Sequence, residues 1–430
     1  MTYREAVARI LALRGGEIAG MRQGLERIET LLAATGNPER AFRIAHVGGT
    51  NGKGSIAAML ASILQAAGHR VGLYTSPHLC DFRERIRVNG TLISETDVVD
   101  GVEALGTLVS RLDATMFEAT TAIALDHFAR EKIDIAVLEV GLGGRLDATT
   151  VGKPAVEILS RIDYDHQASL GNTLREIAGE KGAIIRHGVA FASRQEPEVA
   201  EVLSRRAAQV GVPLAFEGRE LHATLRGFTL DGQQLDLRGP GWRFDDLRCR
   251  LLGVFQPGNA LLAAAGAREL GASEHAVRHG LATAEWPGRF QIIMRDPIVV
   301  VDGAHNPNGA QVLARSLTTY FPGVPLTLVL GISADKDQAG ILAALAPLAT
   351  RIILTAYDSP RSAAPSALRA LLPAVAARVD AAASLEQALA LAGEAPSTPV
   401  ICIAGSLYLV GEALTHAREN RDLLCRPGGR

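Results

Sequence analysis

The chain carries almost no net charge: 44 Lys and Arg against 46 Asp and Glu leave a formal −2 over 430 residues, with a pI near 6.6. No global basic field therefore points to nucleic acid, and any anionic ligand must be held by local groups. Cysteine is scarce. Cys80, Cys249, Cys402 and Cys425 are scattered without metal-ligand spacing, which fits free thiols in a reducing compartment. No apolar run reaches membrane-spanning length, and Met1-Thr2-Tyr3-Arg4-Glu5 opens on no signal-peptide core. A cytoplasmic location with no membrane partner is expected. Low-complexity tracts and short-period repeats are also missing. What remains, 47% hydrophobic and 21% charged residues, is an ordinary globular composition, and the length suggests two domains.

The segment His46-Val47-Gly48-Gly49-Thr50-Asn51-Gly52-Lys53-Gly54-Ser55 says most about chemistry. It follows the short run Arg43-Ile44-Ala45 and precedes an apolar helical pattern from Ile56 to Ala67. Strand, glycine-rich turn, Lys, then Ser at a helix start is an arrangement that cradles nucleotide phosphates. Glycines admit close approach of backbone N–H groups, and the helix N-terminus adds partial positive charge. Lys53 can reach the terminal phosphates and Ser55 can face a Mg²⁺. The common pattern has Gly where this chain has Val47, and Ser or Thr where it has Gly54, so this is a variant, G-T-N-G-K-x-S.

Residues 1–40 read as helices, Tyr3 to Leu13 and Gly24 to Leu32, ending at Thr35-Gly36-Asn37-Pro38. Beyond the phosphate turn, apolar runs alternate with amphipathic stretches. Strands are expected at Val71–Thr75, Ile133–Val140, Val156–Ile162 and Val189–Ala192, which predicts a mostly parallel sheet covered by helices. Residues 221–252 alternate around Asp231-Gly232 and read as antiparallel hairpins, followed by a helix from Asn259 to Leu270. A second α/β series has strands at Ile298–Val301, Leu326–Leu330, Arg351–Leu354 and Val400–Ala404, with helices such as Ala310–Leu317 and Leu385–Ala392. The break between the series falls at Trp286-Pro287-Gly288-Arg289-Phe290.

Several polar residues fall where strands end, the side on which open α/β sheets bind ligands. Ser76 and His78 follow the second strand, although Ser76-Pro77 also reads as a simple turn. Arg83, Arg85 and Arg87 can bind an anionic substrate or merely solvate a loop. Glu139 closes a buried apolar strand, where its charge needs a partner: Mg²⁺ beside the phosphates, or a structural salt bridge. Gly143-Gly144 suggests close backbone approach. Asp165 and His166 end the next strand and can complete a metal or substrate shell, or His166 can be structural. Lys181 lies on a helix, ordinarily a solvated position. In the second series Asp302 and His305, Lys336 and Asp337, and Ser406 follow successive strands, consistent with a site between domains.

With those residues in view, the chain resembles the folylpolyglutamate synthases, including the bifunctional dihydrofolate synthases of bacteria, within the Mur ligase superfamily. The matching segments are GTNGKGS (Gly49 to Ser55), TSPHL (Thr75 to Leu79), LEVGLGGRLDAT (Leu138 to Thr149), Asp165-His166, EKGAI (Glu180 to Ile184), QPGN (Gln256 to Asn259), PGRF (Pro287 to Phe290), DGAHNP (Asp302 to Pro307) and GSLYL (Gly405 to Leu409). They run in family order across nearly the full length. Two positions depart from the usual pattern: Gly48 before Gly49-Thr50, and Gly182-Ala183 in place of the reverse order.

The resemblance implies an α/β protein with an N-terminal Mur-ligase-type P-loop ATPase domain (1–290) and a C-terminal Rossmann-like domain (296–430), closing over ATP and an acidic pterin. It implies nucleotide binding by Gly49, Thr50, Asn51, Gly52, Lys53, Gly54, Ser55, Asn259, Arg289 and Asp302. Ser76, Glu139 and His166 would be ligands of Mg²⁺, with Lys181, as a carbamylated lysine, supporting a second ion. Lys53, Lys181 and His305 would act in catalysis, and His78, Arg83, Asp165 and Ser406 would contact substrate. The implied activity is ATP-dependent ligation of L-glutamate to dihydropteroate and to tetrahydrofolate by a cytoplasmic monomer that binds neither nucleic acid nor membrane. Folylpolyglutamate synthesis alone and another Mur-type amino-acid ligation are the neighbouring alternatives. A nucleotide-binding regulatory module without ligation is the alternative of a different class.

Overall fold

The computed structural model describes residues 1–15, 22, 24–393 and 399–419; Cys425 lies outside the described residues. The chain divides into two compact units, Met1–Arg250 with Pro257–Glu285, and Leu251–Gln256 with Trp286–Arg430.

The first unit is built on strands β1 (Arg43–Gly48), β2 (Val71–Tyr74), β3 (Ile86–Val88), β4 (Thr91–Leu92), β5 (Ile135–Glu139), β6 (Val156–Leu159), β7 (Val189–Ala192) and β8 (Leu214–Phe216). They form one sheet in the order β4-β3-β2-β5-β1-β6-β7-β8. All neighbours from β2 to β8 run parallel, while β3 and β4 close one edge antiparallel. Strands buried on both faces need apolar residues at every position, and Ile135–Glu139 is buried throughout. The helix Lys53–Ala66 packs on β1, β2 and β5. Alternate residues of the same strands, Ile44, Tyr74, Ala136 and Leu138, join a core with the helices Tyr3–Leu11, Glu26–Ala34, Glu95–Leu112 and Met116–Arg130.

Strand order reverses at β1, which lies between β5 and β6. A crevice opens at the carboxyl ends of such a pair, and the phosphate loop leaves the sheet there. Three further strands, β9 (His222–Thr229), β10 (Gly232–Gly239) and β11 (Trp242–Cys249), make a separate antiparallel sheet.

The second unit has strands β12 (Gln291–Arg295), β13 (Ile298–Asp302), β14 (Leu326–Leu330), β15 (Arg351–Thr355), β16 (Arg378–Ala382) and β17 (Val400–Ala404), in the order β12-β13-β17-β14-β15-β16. All pair parallel except β12 with β13.

One expectation needs correction, and one left open is decided. Of the two readings open for Arg83 to Arg87, a plain solvated loop is not what forms: Phe82–Arg85 is a 3₁₀ turn and Ile86–Val88 a strand between β4 and β2, with Ile86 and Val88 buried. The strand expected over Val156–Ile162 stops at Leu159. Beyond it the chain bonds instead to the phosphate loop, Ser160 N–H to Gly48 O at 2.9 Å and Thr50 N–H to Arg161 O at 3.0 Å. Asp165 and His166 therefore lie in the loop past the strand end.

Candidate active site

The turn after β1 depends on two left-handed glycines, Gly49 at φ +125° and Gly52 at φ +96°. A Cβ on Gly49 would collide with Ser160, and one on Gly52 would sit 2.9 Å from Asn259 Oδ1. That second approach brings Asn259 against the loop that the resemblance assigns to nucleotide. Gly52 is the N-cap of the helix Lys53–Ala66 and offers no side chain to cap it. Thr50 is clamped: its hydroxyl donates to Asp163 O at 3.1 Å and accepts from Asp163 N–H at 3.0 Å. Lys53 Nζ donates to Thr50 O at 3.0 Å, curling over the loop it follows. Ser55 is buried.

Lys181 overturns the ordinary expectation for a helical lysine. Only 3% of it is exposed, and its Nζ donates to Gly49 O at 3.0 Å. Burial, helped by repulsion from Lys53 and opposed by Asp165 and Asp147, lowers its pKa to about 7. Gly49, Lys53, Asp165 and Asp147 are thus each within hydrogen-bonding or charge-coupling range of Lys181. Gly144 explains the tight packing: a Cβ there would lie 2.9 Å from the carbonyl oxygens of Glu180 and Lys181. The close approach inferred from Gly143-Gly144 is to the protein's own lysine-bearing helix.

Glu139 ends β5 with 4% exposure, and its Oε2 accepts the Ser76 N–H at 3.1 Å, joining two of the expected metal residues. Asp147, eight residues on, is buried as well. Its carboxylate accepts the N–H groups of Gly141 (3.1 Å), Leu142 (2.8 Å) and Thr149 (3.0 Å) and the Thr149 hydroxyl. Burial pushes its pKa up while those donors hold it down. His166 is in the left-handed region at φ +50°, its Nε2 3.8 Å from Asp165 Oδ1.

The arginine trio separates. Arg85 is 1% exposed and its Nε donates to His78 Nδ1 at 2.8 Å, which fixes His78 with its proton on Nε2 when neutral. Arg83 is held by both Asp81 oxygens, with Nη2 2.6 Å from Oδ2, and lies over the Tyr3 ring at 5.5 Å. Asp81 is correspondingly acidic, at about 2.

In the second unit Asp302 closes β13, 5% exposed, accepting from Phe290 N–H and Ala304 N–H, both at 2.8 Å. Burial raises its pKa, and the charge of Arg289 opposes that rise. His305 Nδ1 lies 2.8 Å from Gly303 O, so Nδ1 carries the hydrogen and Nε2 is the acceptor nitrogen of the neutral ring. Ser406 is buried and its Oγ accepts Tyr408 N–H at 3.1 Å. Asp337 serves as a helix cap, accepting Gly340 N–H at 2.9 Å.

Sequence reasoning gave no role to Asp147, Thr149 or His46. For Asp147 a signal existed, since it lies in the glycine-containing segment that follows the buried strand ending at Glu139. No group of three or more His, Cys, Asp or Glu side chains gathers to hold a metal among the described residues. The oxygen donors of Ser55 in the first helical turn, and of Ser76 and Glu139 at the strand ends, nevertheless match the hard ligands that Mg²⁺ takes alongside phosphate. No helix of the described residues is long and apolar enough to cross a membrane.

Residues 47–267 match the Mur ligase middle domain, and residues 288–407 match the Mur ligase, glutamate ligase domain. A dihydrofolate synthase/folylpolyglutamate synthase of Bacillus subtilis is 36% identical over 362 residues, covering 80% of this chain and 83% of that protein. A folylpolyglutamate synthase of Lacticaseibacillus casei is 35% identical over 427 residues, covering 95% and 97%. A solved structure of Mycobacterium tuberculosis folylpolyglutamate synthase complexed with ADP superposes with a TM-score of 0.89 at 33% identity, covering 99% of each chain.

Proposed function

The chain belongs to the Mur ligase family, among its folylpolyglutamate and dihydrofolate synthases, and from that premise we propose that it joins L-glutamate to dihydropteroate and to tetrahydrofolate with cleavage of ATP. The observation that carries this reading is the pairing of the phosphate loop with Lys181, a buried lysine bonded to that loop through Gly49. ATP would lie with its phosphates on Gly49 to Ser55, and Lys53 and the first-turn amides would balance their charge. Asn259, Arg289 and Asp302 are the remaining nucleotide contacts of this reading.

The acceptor's carboxylate attacks the γ-phosphorus, the bond to the bridging oxygen breaks, and ADP leaves with an acyl phosphate formed. The neutral amino group of L-glutamate then attacks the acyl carbon, and phosphate departs as the amide forms. The protein contributes position and electrostatics rather than a nucleophile. His78, oriented by Arg85, together with Arg83, Asp165 and Ser406, would orient the two acids, and His305 Nε2 is an acceptor suited to the amine's proton. Ser76, Glu139 and His166 would hold one Mg²⁺. A carbamate on Lys181 would offer oxygen to a second, which an amine does poorly. When bound, the metal supplies charge neutralisation on the phosphates. A monomer in the cytoplasm completes the reading, in keeping with the free thiols Cys80, Cys249 and Cys402.

Dihydropteroate labelled with ¹⁸O in its carboxylate tests the chemistry. One labelled oxygen must leave in the released phosphate; unlabelled phosphate alongside amide product would exclude the acyl phosphate.

A further inference from the structure

Beneath the phosphate loop the central sheet places two polar side chains side by side. One row across the strands reads Tyr74, Leu138, His46, Glu157 and Ala190 in register. His46 and Glu157 both have 0% exposure. Burying an imidazole there is costly unless its hydrogen bonding is used. The Nδ1 atom makes no hydrogen bond among the described residues. The ring's whole bonding is on its other side, where Nε2 lies 2.9 Å from Thr149 Oγ1.

The direction of that bond follows from counting protons. A threonine hydroxyl has one hydrogen, and Thr149 gives it to Asp147 Oδ1. Thr149 Oγ1 must therefore accept from His46, so the hydrogen of the neutral ring is on Nε2. Asp147 passes the constraint on, since its Oδ2 holds the N–H groups of Gly141 and Leu142. Those are the second and third residues after Glu139. The same carboxylate is close enough to Lys181 to act on its charge.

We propose that His46 is a positioning residue for the ligation: its Nε2–H, relayed through Thr149 to Asp147, fixes the turn Gly141–Gly144 and with it Glu139 and the face of Asp147 toward Lys181. His46 touches no reactant, and the inference rests on the ligase reading above. Its loss should act on turnover rather than on nucleotide binding, because the phosphate loop is held separately by Asp163, Ser160 and Arg161.

Paired variants test this. His46→Gln keeps an N–H at the distance of Nε2, whereas His46→Asn keeps polarity only near Nδ1. Thr149→Ser keeps the relay hydroxyl and Thr149→Val removes it. Glutamate-dependent phosphate release gives kcat and the KM for ATP, with thermal melts alongside. The Gln and Ser variants should stay near wild-type kcat. The Asn and Val variants should each fall on the order of 10-fold in kcat with the ATP KM unchanged. The His46→Asn/Thr149→Val double variant should fall no further than Thr149→Val alone, as members of one chain do. A Gln variant as impaired as the Asn variant, or additive losses in the double variant, would overturn the relay. If His46→Asn fails to fold, the Ser-against-Val comparison at Thr149 decides in the same way. A wild-type protein without glutamate-dependent turnover would overturn the ligase reading instead, whereas an active wild type matched by Thr149→Val overturns only this inference.

Discussion

Supplying ¹³C-bicarbonate at pH 8 should place one labelled carbonyl carbon on Lys181. Carbamylation needs the free amine: the nitrogen lone pair attacks CO₂ and one proton is lost. With burial holding its pKa at about 7, against 10.5 ordinarily, Lys181 would be about 90% neutral at pH 8. An ordinary lysine would be about 0.3% neutral, so the reactive fraction rises by about 300-fold. The same displacement has a stability consequence on the order of 5 kcal/mol. The folded-state pKa lies below the unfolded one, so stability is full above pH 10.5 and is lost as pH falls toward 7. Carbamate formation opposes that loss, because it consumes the neutral amine in the folded state and places an anion beside Lys53. The assay is ¹³C NMR of the protein with and without bicarbonate, using Lys181→Ala as the blank. A labelled carbonyl resonance absent from the blank is expected. Activity should fall in CO₂-depleted buffer, and acetate or formate should partly restore Lys181→Ala. No difference between wild type and blank, with turnover indifferent to CO₂, would refute the reasoning.

Other perturbations follow from the same geometry. Lys53→Ala should abolish ligation with an unchanged melt, since Lys53 is the motif's cation on the terminal phosphates; near-normal turnover would remove the phosphate-loop assignment. Glu139→Gln keeps shape but deletes charge, and turnover should drop by on the order of 10²-fold, whereas a slight loss with an unaltered Mg²⁺ requirement would make Glu139 structural. Gly49→Ala should melt earlier and lose ATP-dependent turnover, because φ +125° is strained for alanine and Ser160 occupies its methyl space; a wild-type melt would contradict that packing. Burial raises the Glu157 carboxyl from 4.5 to about 7, so the folded protein retains a proton that the unfolded chain releases. Stability should decline by on the order of 3 kcal/mol as pH rises through that window, and melts of Glu157→Gln at pH 5 and pH 8 should show less decline than wild type.

The phosphate loop was legible because glycine, lysine and serine recur there at spacings that backbone geometry dictates. The central strands were legible because burial on both faces demands unbroken apolar runs. Five edge or near-edge strands escaped. Ile86–Val88 and Thr91–Leu92 are only three and two residues long. Leu214–Phe216 is three residues long, while Gln291–Arg295 and Arg378–Ala382 are half-exposed and carry charges. The burial of Lys181, a residue singled out by the family resemblance alone, was illegible for a different reason. A helical lysine reads as solvated, and what buries this one is a carbonyl 132 residues away in the chain. His46 and Glu157 sit among apolar neighbours in sequence, and only strand register shows them to be adjacent. Pattern finds elements and motifs; the pKa-setting neighbours of a side chain come from tertiary pairing.

Phosphate release from MgATP, measured with dihydropteroate and with tetrahydrofolate separately, each with and without L-glutamate, tests the central claim most directly. The account predicts sustained release with either acceptor only when L-glutamate is also present, one phosphate for each amide formed. Release at the same rate without L-glutamate, or none with either acceptor, would contradict it.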